Sequence, residues 1–65
     1  MRDLIYFQGN KHIEAEMLPK EFSITSCHIY DRHLNRWYLM AGPYVESLEP
    51  EKVPIEYRTK ALLLT

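Results

Sequence analysis

The sequence predicts a small all-β fold with one short helical turn, either a five-stranded antiparallel meander or an open barrel of the SH3-like type. Residues 11–18 alternate between polar and apolar side chains, which is typical of a half-buried strand. Gly9 and Asn10 precede this run and suit a two-residue hairpin turn. β-branched and aromatic residues recur in 22–30 and 36–41, which predicts a second hairpin.

Length and composition predict a single small domain spanning residues 1–65. A chain this short buries only about 60% of its unfolded surface, so its stability margin is thin. Hydrophobic residues make up 46% of the chain and aromatic residues 12%, which favours a folded domain over a disordered one. Self-association as a homodimer would be a direct way to complete such a core.

Charge and cysteine content argue against several classes of protein. The net charge of −1 gives no bulk attraction to nucleic acid or to anionic membranes. Cys27 is the only cysteine, so no internal disulfide can form. No apolar run reaches the roughly 18 residues of a membrane span, and charged residues throughout 1–20 argue against a signal peptide. We therefore expect a cytoplasmic protein, with Met1 as the start of a complete, short, phage-like regulatory gene product.

The first predicted hairpin covers residues 3–17. With Gly9-Asn10 as its loop, Tyr6 lies opposite Ile13, and Leu4 lies opposite Ala15. These four residues and Met17 are expected to face the core. The other side carries Ile5 and Phe7, which are expected either to lie under a second layer or to form an exposed contact patch.

The second predicted hairpin covers residues 22–41, with residues 31–35 as its loop. Pairing Tyr30 with Arg36 would bring Ile29 opposite Trp37 and Cys27 opposite Leu39 on the core side. The opposite side would then present four side chains in a row. These are His28, Tyr30, Tyr38 and Met40.

The C-terminal third is predicted to begin with an acidic, proline-rich surface connection over residues 43–54, with a short helical turn near Ser47-Leu48-Glu49. Residues 55–64 alternate again, and we favour a fifth strand because Ile55, Tyr57 and Thr59 prefer sheets. The alternative is an α+β fold in which residues 54–64 form a C-terminal helix, because Pro54 suits a first helical turn.

Metal and catalytic chemistry find little support in the sequence. Cys27-His28 and His33 are close along the chain, but a zinc site usually needs four ligands at regular spacing. In a strand, Cys27 and His28 would also point to opposite faces. A chain of 65 residues has little volume for a pocket that excludes water. We therefore expect no enzyme activity, no metal and no cofactor.

Protein binding is the function that the sequence favours, because the chain has more large side chains than one thin sheet can bury. Tyr, Met and Arg are enriched at protein interfaces. The interpretation is a non-catalytic module that acts as a small accessory factor or inhibitor of a larger protein. The expected partner contacts are Phe7, Tyr30, Arg36, Tyr38 and Met40.

Two alternatives belong to other functional classes. The first is binding of single-stranded nucleic acid, because aromatic rings can stack on bases while basic groups contact phosphate. Its residues would be Tyr30, Arg32, Arg36, Tyr38 and Lys60. The second is a small-molecule binder or enzyme built at a dimer interface, with His28 or His33 as the proton-transfer group.

Overall fold

A five-stranded antiparallel sheet with one helix packed on it forms the fold, as a computed structural model that describes residues 3–22 and 26–65. Two short 3-10 turns complete the structure. The elements are β1 (Leu4–Gln8), β2 (Lys11–Ala15), a 3-10 turn (Lys20–Phe22), β3 (Cys27–Asp31), β4 (Arg36–Ala41), β5 (Tyr44–Leu48), a 3-10 turn (Pro50–Lys52) and α1 (Ile55–Leu64). Within the described ranges, no helix has the length and apolar character needed to cross a membrane.

The predicted antiparallel sheet of five strands is confirmed, with the strand order β2-β1-β3-β4-β5. Strands β3, β4 and β5 follow one another as a meander. The connection from β2, however, passes to the far side of β1, so that β3 pairs with β1. Strands β2 and β5 are the two edges, so the sheet is open.

The register predicted for the first hairpin is confirmed. Tyr6 pairs with Ile13 and Leu4 pairs with Ala15. Gly9 has a φ of +58°, whereas Asn10 keeps a negative φ, which is the pattern of a type II′ turn. Met17 does not reach the core as predicted, because the strand ends at Ala15 and leaves its side chain 80% exposed.

The register predicted for the second hairpin is wrong by one residue. Asp31 pairs with Arg36, and Tyr30 therefore pairs with Trp37. The loop has four residues rather than five, because the Asp31 carboxylate accepts hydrogen bonds from two loop amides at 2.9 and 3.2 Å. Asn35 completes the turn with a φ of +54°. The predicted start of this hairpin at residue 22 is wrong, because Phe22 belongs to the 3-10 turn and β3 begins at Cys27. Residues 23–25 of the prediction lie outside the described residues.

The predicted surface connection over residues 43–54 is wrong in part, because it contains a strand of the sheet. Gly42 has a φ of +60°, and with Pro43 it makes a second two-residue turn. The chain then returns as β5, which is the fifth strand of the sheet. The helical turn expected near Ser47-Leu48-Glu49 lies slightly later, at Pro50–Lys52.

Residues 55–64 form α1, so the favoured fifth strand is wrong here and the helical alternative is correct. The first helical hydrogen bonds run from the amides of Tyr57 and Arg58 to the Pro54 carbonyl. Tyr57, Ala61 and Leu64 recur at helical spacing and pack on the sheet. This packing outweighs the strand propensity of the segment.

Each face of the sheet carries a buried cluster. Under α1 lies a cluster on what we call the helix face, made of Ile5, Phe7, Tyr30, Trp37, Val53 and Ala61. The other side, the opposite face, carries Tyr6, Phe22, Cys27, Ile29 and Met40. The two outcomes left open for Ile5 and Phe7 are thereby resolved, because α1 is the second layer that covers them and both are 0% exposed.

Candidate functional site

The five predicted partner contacts do not form one surface. Phe7, Tyr30 and Met40 are buried at 0%, 9% and 7% exposure, so they offer almost no area to a partner. Phe7 lies beneath α1, and the corrected register separates Tyr30 from Met40 onto different faces. Only Arg36, which is exposed, and Tyr38, which is half-buried, keep accessible side chains.

The residues of the nucleic-acid alternative are also dispersed. Tyr30 belongs to the cluster on the helix face, whereas Tyr38 packs against the cluster on the opposite face, so the two rings cannot form one stacking platform. Tyr30 is further fixed by donating its hydroxyl to Asn35 Oδ1 at 2.6 Å. Lys60 lies on α1, apart from Arg36 on β4. The arrangement lacks the aligned rings and cations that this function would need.

Arg32 has a structural role at the C-terminal end of α1. One terminal nitrogen donates to the Leu64 carbonyl at 3.1 Å, and the other forms an ion pair with Glu14 at 2.8 Å. A cation at a helix C-terminus is favourable because it meets the negative end of the helix dipole. Arg32 thus joins the β3–β4 loop to β2 and to α1.

Cys27 and His28 are neighbours in the sequence but lie on opposite faces of the sheet. Cys27 is buried on the opposite face, and this burial raises the pKa of its thiol, which disfavours the reactive thiolate. His28 lies on the helix face, with its ring 5.1 Å from that of Tyr57. Burial lowers the pKa of His28. No nucleophile–base pair therefore arises from these neighbours.

His33, the other candidate for proton transfer, is exposed in the β3–β4 loop. Across residues 3–22 and 26–65, no three His, Cys, Asp or Glu side chains come close enough together to hold a metal ion. The remaining candidate site is an apolar surface beside α1.

A groove lies between α1, the 3-10 turn at Pro50–Lys52 and the start of β4. We call it the α1 groove. It encloses about 310 Å³. Its lining residues are Tyr30, Asn35, Trp37, Pro50, Ile55, Arg58, Thr59, Ala61 and Leu62.

Helical spacing places two of the accessible apolar side chains of α1 along this groove. Ile55 and Leu62 are seven residues apart, which puts them on one side of the helix. Their side chains are 62% and 77% exposed. Between them, Arg58 donates from Nε to the Val53 carbonyl at 3.2 Å, so its guanidinium is held in place. The groove thus presents two exposed apolar side chains and one anchored cation along α1.

A second groove continues from the first toward β5. Both are lined by Asn35, Trp37 and Pro50, and the second encloses about 440 Å³. Its other lining residues are Arg36, Ser47, Leu48 and Glu49. The two grooves therefore adjoin at Asn35, Trp37 and Pro50, the first beside α1 and the second beside β5.

Sequence reasoning missed this site because it treated residues 55–64 as a strand. In a strand, Ile55 and Leu62 would point to different faces, whereas a helix puts them together. The seven-residue spacing of these apolar side chains was the signal available in the sequence. It becomes informative only once α1 is known to be helical.

Comparisons with known proteins give no relative for this arrangement. The chain matches no protein-family model, and no curated protein or solved structure matches it significantly.

Proposed function

We propose that this chain is a non-catalytic protein-binding module, acting as a small accessory factor or inhibitor of a larger protein, and that it binds its partner through the α1 groove. The observation that carries the proposal is the pair Ile55 and Leu62, two large apolar side chains exposed beside a concave surface. Exposed apolar patches next to a groove are typical of interaction sites. The burial that a partner would provide is the driving force for binding.

The chemistry of the groove suits a protein ligand. Trp37 and Tyr30 line the groove but are only 6% and 9% exposed, and their rings pack 4.8 Å apart, so they form a rigid base while the accessible apolar area comes from α1. Arginine is over-represented among the residues that dominate binding energy. Because Arg58 is already anchored to the Val53 carbonyl, little side-chain entropy is lost when a partner binds. We expect an apolar side chain of the partner to enter beside Ile55 and Leu62.

The test compares two neighbouring leucines. Leu62 lines the groove, whereas Leu63 is outside its lining and equally exposed, at 81% against 77%. Leu62→Glu should weaken partner binding at least tenfold, which corresponds to about 1.4 kcal/mol. Leu63→Glu is the matched control and should bind as the wild type does. Both variants are expected to fold, because both side chains are in solvent.

Tagged wild-type protein and the two variants would be used for affinity capture from a lysate of the source cells, with nuclease added. A protein retained by the wild type and by Leu63→Glu, but lost with Leu62→Glu, would support the proposal. Equal capture by all three proteins would contradict binding through the α1 groove. Recovery that depends on nucleic acid would contradict the protein-binding function itself.

A further inference from the structure

Among residues 3–22 and 26–65, β5 pairs on one side only, with β4, and it is an edge of the sheet. Four of its five side chains are exposed. Tyr44 and Val45 are 77% and 58% exposed. An edge strand presents a row of backbone donors and acceptors that another strand can use. The edge at β2 differs, because Glu14 is engaged there by Arg32.

Hairpin geometry identifies which backbone groups of β5 face outward. The turn Gly42-Pro43 is closed by the pair Ala41 and Tyr44, and the pair that closes a two-residue hairpin is a hydrogen-bonded one. Since such pairs alternate along an antiparallel ladder, Val45 and Ser47 direct their N–H and C=O groups away from β4. These two residues can therefore bind an incoming strand through four backbone hydrogen bonds.

The side chains on the same edge define what that strand should carry. Pairing across the sheet aligns Glu46 with Leu39, and Leu48 with Trp37, so Glu46 and Leu48 lie on the helix face. Tyr44 shares that face because strand side chains alternate. The incoming strand therefore meets one carboxylate between two apolar residues.

This charge disfavours a second copy of the chain in the self-pairing register that uses both Val45 and Ser47. Self-pairing that matches Val45 with Ser47 of a second copy would put Glu46 opposite the same carboxylate of that copy. Like charges directly opposite each other destabilise a strand pair, whereas opposite charges stabilise it. Charge complementarity thus favours a partner strand with a basic residue at this position.

We propose that β5 accepts an extended segment of a partner protein as an antiparallel sixth strand, with Lys or Arg opposite Glu46 and apolar residues two positions to either side. Backbone hydrogen bonds supply affinity in this mode, and alternate side chains supply specificity. The proposal rests on the protein-binding function above and names the chemistry of the partner. Ser47 and Leu48 also line the second groove, so the same segment would continue toward Trp37 and the α1 groove.

A blocked seven-residue peptide tests this edge directly. It carries Leu, Lys and Tyr at its second, fourth and sixth positions and Thr elsewhere, and a matched peptide has Glu in place of Lys. In a titration followed by NMR, the Lys peptide should shift the amide signals of Val45 and Ser47 and slow their hydrogen exchange. We expect it to bind about fivefold more tightly than the Glu peptide, in line with measured cross-strand charge effects.

Two controls make the result specific. In the variant Glu46→Lys the preference between the two peptides should reverse. N-methylation of the Lys peptide at its third and fifth residues, which face Val45 and Ser47, should abolish binding. N-methylation at its second and sixth residues should leave binding intact, because those N–H groups point away from β5.

Equal affinity of the two peptides, or signal shifts confined to residues outside β5, would overturn the proposal. Concentration-dependent shifts of Val45 and Ser47 without peptide would also overturn it, by showing that a second copy occupies the edge. Leu62→Glu should bind the Lys peptide as the wild type does. If the peptide fails while capture still depends on Leu62, the edge proposal fails and the protein-binding function stands.

Discussion

The two faces of the sheet bury their large side chains in different ways. On the helix face, Phe7 makes ring contacts with Tyr57 and Trp37, at centroid distances of 5.0 and 5.6 Å, and α1 covers the group as a continuous element. On the opposite face, Phe22 reaches the cluster from a three-residue 3-10 turn. The two phenylalanines are equally buried, at 0% and 1% exposure. Because the two rings are equally buried, a difference in their contributions to stability would come from the contacts of Phe7 with other aromatic rings.

The largest loss of stability is expected from a substitution in the cluster on the helix face. Phe7→Ala should cost about 3–5 kcal/mol, because it removes a fully buried ring and leaves a cavity. Small domains have total stabilities that start near 5 kcal/mol, so this variant should be largely unfolded by circular dichroism. The milder substitutions Phe7→Leu and Phe22→Leu allow the stability lost on each face to be measured by urea unfolding.

Both leucine variants lose the same volume, but among the ring contacts of the described residues only those of Phe7 are affected. Because aromatic pairs add about 0.5–1.5 kcal/mol beyond area, Phe7→Leu should be the more destabilising by about 1 kcal/mol. Equal losses would mean that the rings on the helix face contribute only their buried area.

The next effect concerns how α1 is fastened to its face. Arg32→Met removes the hydrogen bond to Leu64 and the ion pair with Glu14 while keeping an apolar stem. A helix-terminal cation and a partly exposed ion pair together contribute about 1 kcal/mol. We therefore expect a Tm lower by about 4–8 °C in calorimetry.

Arg36→Met is the control for this experiment, since Arg36 is exposed at the start of β4. Its Tm should stay close to that of the wild type. If the two variants lose the same stability, Arg32 does not fasten α1 in the way described.

The smallest effect is a difference in how the two faces respond to pH. Burial lowers the pKa of His28 on the helix face, so the unfolded chain binds a proton more readily than the folded one. Stability from this residue is present above about pH 6.5 and is lost as the pH falls toward the lowered pKa. On the opposite face, burial raises the pKa values of Cys27 and Tyr6, and the nearby Cys27 adds to the effect at Tyr6. Stability should therefore fall as the pH rises above about 9.

Urea unfolding as a function of pH would show which face is responsible for the loss of stability at acid pH and which for the loss at alkaline pH. His28→Gln should reduce the loss of stability that sets in as the pH falls below about 6.5, and Cys27→Ala should reduce the loss at alkaline pH. If His28→Gln loses as much stability at acid pH as the wild type does, the histidine on the helix face is not the source of that loss.

Local sequence determined the parts of the fold in which neighbouring residues set the geometry. Gly9 and the alternation after it are sufficient to give the register of the first hairpin, because a two-residue turn leaves one pairing. The second hairpin could not be aligned in the same way. Its register depends on whether Asp31 belongs to the strand or to the loop, and the hydrogen bonds from its carboxylate decide this in the folded chain.

The candidate site depended still more on tertiary structure. Arg36 and Tyr38 were expected at the surface and are accessible, but Phe7, Tyr30 and Met40 are taken up by the two buried clusters. A sequence of apolar residues does not show which of them pack against another layer. That second layer exists because residues 55–64 form a helix that packs on residues of β1 and β3.

Side-chain alternation and turn chemistry act over a few residues, and they were sufficient to predict the antiparallel sheet and the register of the first hairpin. The return of the chain as β5, the helical state of residues 55–64 and the groove beside them depend on the packing of the whole domain. Strand and helix propensities in the last segment differ by little, whereas burying Ile5 and Phe7 under α1 contributes far more, so long-range packing sets the outcome there.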